Sequence, residues 1–356
     1  GDRGPGGGGG AAVRRSSGLG TSRVIRGTWG LTEEVFGVTA AARGSARLKA
    51  LGLPSWGTRA SAPTGETRGI GGRGARLLDS SDKPMLIDPQ KSVPEARVEG
   101  VPGGPAYPDN PILVRHWRGE AVESVHRGIS ALVDPDGHVI DGVGAFEHPI
   151  FARSSTKALQ ALPLLETGAA DRFGFGEPEL ALAVASHNGE RCHTDVVQRM
   201  LDSIELEVGD LRCGAHRPYD RETWEALRES GHEPTQVHNN CSGKHAGFLA
   251  LGKELGDAPA DYLDLSSGIQ RRVQAAVVEM TGVNPDELGV AIDGCSAPTF
   301  RLPLRNLAQG FARFANPSGL APERSAACQR IADAVAANPD LIGATRNQIC
   351  SAIARA

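Results

Sequence analysis

The chain is 356 residues long, 40% hydrophobic and 22% charged, with a formal net charge of −4. That suits one large or two ordinary domains of a soluble protein and leaves no basic footprint for nucleic acid. No apolar run approaches the ~18 residues that a membrane span needs, and six cysteines at 192, 213, 241, 295, 328 and 350 lack CxxC spacing, which predicts reduced thiols or metal ligands in a cytoplasmic protein, not a disulfide framework.

Residues 1–108 are the first segment to read. They carry GGGGG at 6–10, GIGGRGAR at 69–76 and, running just past them, VPGGPAYPDNP at 101–111. So few apolar side chains cannot offset the entropy of ordering the chain, and a low-complexity, disordered extension is expected here. Residues 109–356 are expected to form the folded domain. AVESVHRGISALVD (121–134) and HVIDGVGA (138–145) are partly alternating apolar runs joined by Pro135-Asp136-Gly137, which predicts a β-hairpin. A helix is predicted from Ser154, with Leu159, Leu162 and Leu165 at helical spacing, a kink at Pro163 and a stop at Gly168. Further helices are predicted at 178–185, 194–204, 244–255 and 266–281, then a short strand, VAID (290–293), running into a loop, GCSAPT.

Three stretches carry chemistry. Ser154 and Lys157 lie three apart at a helix start, so they share a face with the hydroxyl at the positive end. A desolvated lysine there can accept the serine proton, and free backbone N–H groups can hold an oxyanion. The plainer reading is a capping serine beside a solvated lysine, because S-x-x-K is common by chance. Ser186, in LALAVASHNGE, leaves an apolar segment and could relay a proton to a leaving amine; taken alone it reads as the N-cap of the next helix. HNNCSGKHAGF (238–248) is no P-loop. Its Cys241 and Lys244, with Cys295 on the DGCSAP loop, could hold a soft metal such as zinc, although buried cysteines are usually inert core residues. Cys192, His193, Cys213 and His216 make a rival metal set.

Together ARSSTKALQALPLLE, VASHNGE, DLRCGAH, NNCSGKH and DGCSAPT, in that order, resemble the thermolabile, rhizobial-type L-asparaginase family over about 112–356. The resemblance implies an α+β fold similar to serine β-lactamases and glutaminases, with an antiparallel sheet packed against a helical domain. It implies an amidohydrolase that cleaves L-asparagine to L-aspartate and ammonia, with Ser154 as nucleophile, Lys157 as its base and Ser186 as second serine. It also implies Cys241, Lys244 and Cys295 as zinc ligands, no organic cofactor, and Arg153, His245 and Asp293 as neighbours that orient the substrate. A homodimer is compatible with it. Members of that family continue past QICSAIARA into a strand with a second lysine and further sheet strands. The chain is therefore expected to be a truncated copy with an incomplete sheet and weak or no activity. Two other readings stand beside it. One is a β-lactamase or penicillin-binding acyl-transferase, since Ser154-x-x-Lys157 and Ser186-x-Asn188 imitate two of that group's motifs. The other is a non-catalytic zinc-binding remnant.

Overall fold

The turn at Pro135–Gly137 forms as its residues require. In the computed structural model, which describes residues 110–346 and 348–355, Gly137 takes a left-handed φ of 94°. The Asp134 carboxylate accepts the His138 backbone N–H at 2.8 Å. The strands on either side, β3 (Ser130–Val133) and β4 (Val139–Val143), pair antiparallel. The expected disordered extension over 1–108 lies outside the described residues.

Upstream the structure differs from the expected hairpin. The run 121–134 breaks at Gly128, and its first half, β2 (Ala121–Arg127), pairs with β1 (Ile112–Arg118) as a separate two-stranded ribbon. A Cβ at Gly128 would collide with the Leu113 side chain, so glycine allows the chain to pass its partner closely there. A third sheet, in the order β5-β7-β6, joins β5 (Pro149–Phe151), β7 (Pro298–Pro303) and β6 (Gly289–Ile292), all antiparallel. The described residues thus form an α+β protein with three small antiparallel sheets in place of one. The third sheet matters most for the site. β5 ends two residues before Arg153, β6 ends one residue before Asp293, and β7 pairs with both.

The helix expected from Ser154 is cut into pieces. Arg153–Thr156 is a 3₁₀ turn, followed by α1 (Lys157–Gln160) and α2 (Leu162–Glu166). Pro163 falls in the first turn of α2, where its missing N–H costs nothing, so the ladder restarts there instead of kinking. Gly168, at φ 79°, ends it, and α3 (Ala169–Arg172) follows. The other expected helices appear as α4 (Glu177–Ala183), α5 (Arg191–Ser203), α7 (Ser242–Leu255) and α8 (Gly268–Thr281). Between and after them lie α6 (Arg221–Glu229), α9 (Leu304–Ala315), α10 (Pro322–Ala337), α11 (Pro339–Ile342) and α12 (Ile349–Arg355).

The core is centred on α7. Every residue of α7 from Ser242 to Gly252 is buried, as a helix enclosed on all sides must be. It packs on α4, α5 and α8, whose Leu182, Met200, Leu201 and Ile269 are all cut off from solvent. Gly243 permits the closest approach: a Cβ there would run into the Leu182 carbonyl of α4. That contact brings the start of α7 against the loop that leaves α4, and the Lys157 amine reaches both.

Candidate active site

Ser154 sits in a strained turn. Arg153 takes φ 46°, a left-handed conformation that costs a non-glycine residue energy and is held only where the surroundings impose it. Two constraints do so. Ala152, buried just before it, donates its N–H to the Phe300 carbonyl of β7. The Arg153 guanidinium reaches across to Asp293, with Nη2 to Oδ1 at 3.0 Å and Nε to Oδ1 at 3.2 Å. The Asp293 loop carries its own left-handed residue, Ser296 at φ 69°.

The three hydroxyls of the turn are not equivalent. Ser155 Oγ donates to the Ala152 carbonyl and Thr156 Oγ1 donates to the Arg153 carbonyl. Ser154 is exposed and its side chain has no hydrogen bond among the described residues. It is also not the N-cap of the turn, a place taken by Ala152.

Lys157 is buried, with 2% of its surface exposed. Its Nζ donates to the Ala185 carbonyl at 2.5 Å and to Ser186 Oγ at 2.8 Å, and lies 3.5 Å from the Asn240 carbonyl. Burial pushes its pKa down; Cys241 pulls it back up and Lys244 adds to the fall. The structure therefore joins Lys157 to Ser186 directly and leaves Ser154 next to it without a hydrogen bond between them. Ser186 lies on the loop after α4 and is half-buried. It does not cap a helix: that position belongs to Glu190, at the start of α5.

Cys241 and Lys244 open α7, and Cys295 comes from the Asp293 loop. All three are buried. Lys244 Nζ lies 3.3 Å from Cys295 Sγ. Its neighbour Cys295, helped by Lys157 and Lys244 and opposed by burial, holds Cys241 well below the usual thiol range. Cys295 is pushed up by Cys241 and by burial, against the pull of Lys244. Asn239 sets the turn, its amide donating to the Cys213 carbonyl at 2.9 Å and its Oδ1 accepting the Cys241 N–H at 2.9 Å. His245 follows Lys244 on α7 and is fully buried. Burial, then Lys244 and Lys157, push its basicity well below the ordinary value.

The rival set of Cys192, His193, Cys213 and His216 is not gathered. Among the described residues only Asp134, Asp136 and His138 bring three carboxylate, imidazole or thiol atoms within 4.8 Å of one another, at the exposed hairpin turn. Sequence reasoning missed Asn240 and Ala185, which act through backbone carbonyls, and Tyr262, which touches His245.

A buried lysine bonded to a serine, next to a second serine in a strained turn and beside two thiols, has the make-up of a nucleophilic or acid–base centre. Residues 114–356 match the family model described as L-asparaginase II. The chain belongs to this family, and its class is that of an asparagine amidohydrolase. No match was found among curated proteins. No helix of the described residues is long and apolar enough to cross a membrane.

Proposed function

We propose that the chain hydrolyses L-asparagine to L-aspartate and ammonia by a serine–lysine mechanism at Ser154, Lys157 and Ser186, within a domain spanning 109–356 and folded like the serine β-lactamases. The observation that carries this reading is the buried Lys157 amine held 2.8 Å from Ser186 Oγ, one helical turn from Ser154. Burial favours the neutral amine, the form that can take a proton. Ser154 Oγ attacks the side-chain amide carbon and its proton passes to Lys157. The C–N bond then breaks, and the departing nitrogen takes that proton through Ser186 and leaves as ammonia. Water cleaves the resulting ester by the same route in reverse, releasing aspartate. Arg153, ion-paired with Asp293 at the rim, supplies a cation for the substrate carboxylate. His245 supplies a hydrogen bond.

The donor set at Cys241, Lys244 and Cys295 fits zinc: two buried sulfurs, of which Cys241 gives up its proton the more readily, are what a soft divalent ion prefers, with the lysine amine as a third ligand. A bound zinc ion would supply positive charge next to the site and hold the two loops together. The proposed residues work without a step on the metal.

Ammonia release with L-asparagine tests the reading, and nitrocefin tests its rival. Hydrolysis of nitrocefin without asparagine turnover would move the protein to the β-lactam group. Elemental analysis of the same preparation should give one zinc per chain, and Cys295→Ala should weaken it by at least about tenfold, an effect that even indirect partners of a metal can reach. Full zinc retained in that variant would remove the site.

A further inference from the structure

His245 has one ring nitrogen engaged and one without a partner. Nδ1 lies 2.6 Å from the Tyr262 hydroxyl, and the same oxygen accepts the Arg212 backbone N–H at 2.8 Å. Nε2 is buried and has no hydrogen-bond partner among the described residues. Both side chains are at 0% exposure, and the rings meet edge to face with centroids 5.5 Å apart. Tyr262 is itself fixed, because Gln270 Nε2 donates to its carbonyl at 2.8 Å.

Counting hydrogens decides the tautomer. A phenol has one proton to give, and here its oxygen already receives the Arg212 hydrogen. If Nδ1 also carried a hydrogen, the phenol would receive two and its own would have no acceptor among the described residues. A buried donor left without an acceptor is expensive. The arrangement in which every group but one is satisfied has Tyr262 donating to Nδ1, and so puts the imidazole hydrogen on Nε2. The one group left over is that N–H, a donor in need of an acceptor.

We propose that Tyr262 is a positioning residue that fixes His245 as an Nε2–H donor, and that this N–H binds an acceptor oxygen of the substrate amino acid. The identity of the acceptor rests on the asparagine reading; the tautomer does not. The same hydrogen bars His245 from serving as a further zinc ligand through Nε2, because metal coordination needs the bare lone pair.

Protein labelled with ¹⁵N in histidine tests this, with the His245 signals identified by their loss in His245→Gln. Wild-type protein should show His245 as the Nε2–H form, and Tyr262→Phe should lose that fixed form. Toward L-asparagine, Tyr262→Phe should raise KM about tenfold, equivalent to 1.4 kcal/mol. Its kcat should change by less than about threefold, the pattern of a contact made equally in ground and transition states. Tyr262→Phe strands the Arg212 N–H and can fail to fold, so a second pair of variants decides in that case. In His245→Gln the amide nitrogen falls near the place of Nε2, and in His245→Asn near that of Nδ1. The first should keep KM within about fivefold of wild type and the second should not. An Nδ1–H tautomer in wild-type protein, an unchanged KM in folded Tyr262→Phe, or equal KM values for the Gln and Asn variants would overturn the proposal. If wild-type protein released no ammonia from asparagine, the functional reading would fall, and the histidine spectra alone would decide the tautomer.

Discussion

Three hydroxyls precede Lys157, and hydrogen bonding tells them apart. Ser155 and Thr156 spend theirs on backbone carbonyls of their own turn, while Ser154 keeps its hydroxyl uncommitted. The sequence alone makes Ser154 the choice only through spacing, since Ser-x-x-Lys fits it and not its neighbours. The structure adds the strained φ at Arg153, which no sequence pattern announces. Ser154→Ala should therefore abolish asparagine turnover. It removes neither a cap nor a buried bond, so stability should change by less than the ~1 kcal/mol that a lost N-cap costs. Appreciable turnover in a folded Ser154→Ala variant would shift the attacking role to Ser186, whose hydroxyl already touches Lys157.

At the scale of elements, the loop after α4 is tied to α5 by two histidines. His187 and His193 stack with centroids 4.9 Å apart and planes 15° apart, both fully buried. Each Nδ1 accepts a backbone N–H, from Gly189 and Glu190 respectively, at 3.1 Å. Each Nε2 then gives its hydrogen away, to Ser242 Oγ at 2.9 Å and to the Asp340 carbonyl at 3.1 Å. Only neutral rings fit this pattern. Burial pushes His193 down to about 4, against the pull of Glu190 and Asp220, and pushes His187 well below its ordinary value. Both folded pKa values lie below the unfolded one, near 6.5, so the unfolded chain takes up protons first as pH falls. Stability is then whole above about pH 6.5 and declines toward pH 4, by roughly 3 kcal/mol for His193 alone. Urea unfolding at pH 7.5 and 4.5 measures it; equal midpoints would refute the account.

The elements that sequence made legible are those with strong periodicity or turn chemistry. α5 and α8 show an apolar face at helical spacing, and Pro135-Asp136-Gly137 announces its turn. α10, PERSAACQRIADAVAA, has too few large apolar residues for a stripe to stand out. β5 and β7 are short, and prolines open the first and bound the second, so neither reads as a strand until the other pairs with it. The break at Gly128 was hidden because β-branched residues stand on both sides of it. For the site, Lys157, Cys241, Lys244 and Cys295 were visible as motif residues. Ala185 and Asn240 were not, because a carbonyl that accepts a hydrogen bond has no side-chain signature, and Tyr262 stands in no motif.

At the scale of the whole molecule, the site is assembled from four distant segments. Lys157 meets Ser186 across 29 residues of chain, Lys244 meets Cys295 across 51, Lys157 meets Asn240 across 83 and Arg153 meets Asp293 across 140. The β1–β2 ribbon contributes none of these contacts. It is exposed along nearly all its length, with Trp117 at 60%, so the proposed site rests on the helical block and the β5-β7-β6 sheet.

The Arg153–Asp293 bridge also sets an order in time. Helices close local contacts within microseconds, whereas joining positions 140 residues apart requires closing a long loop first. When denatured protein is diluted into buffer, far-ultraviolet circular dichroism should recover ahead of asparagine turnover. The interval between the two should lengthen in Asp293→Asn, which keeps the shape of the side chain and loses its charge. Simultaneous recovery of both signals would mean that the Arg153–Thr156 turn is already in place when the helices form.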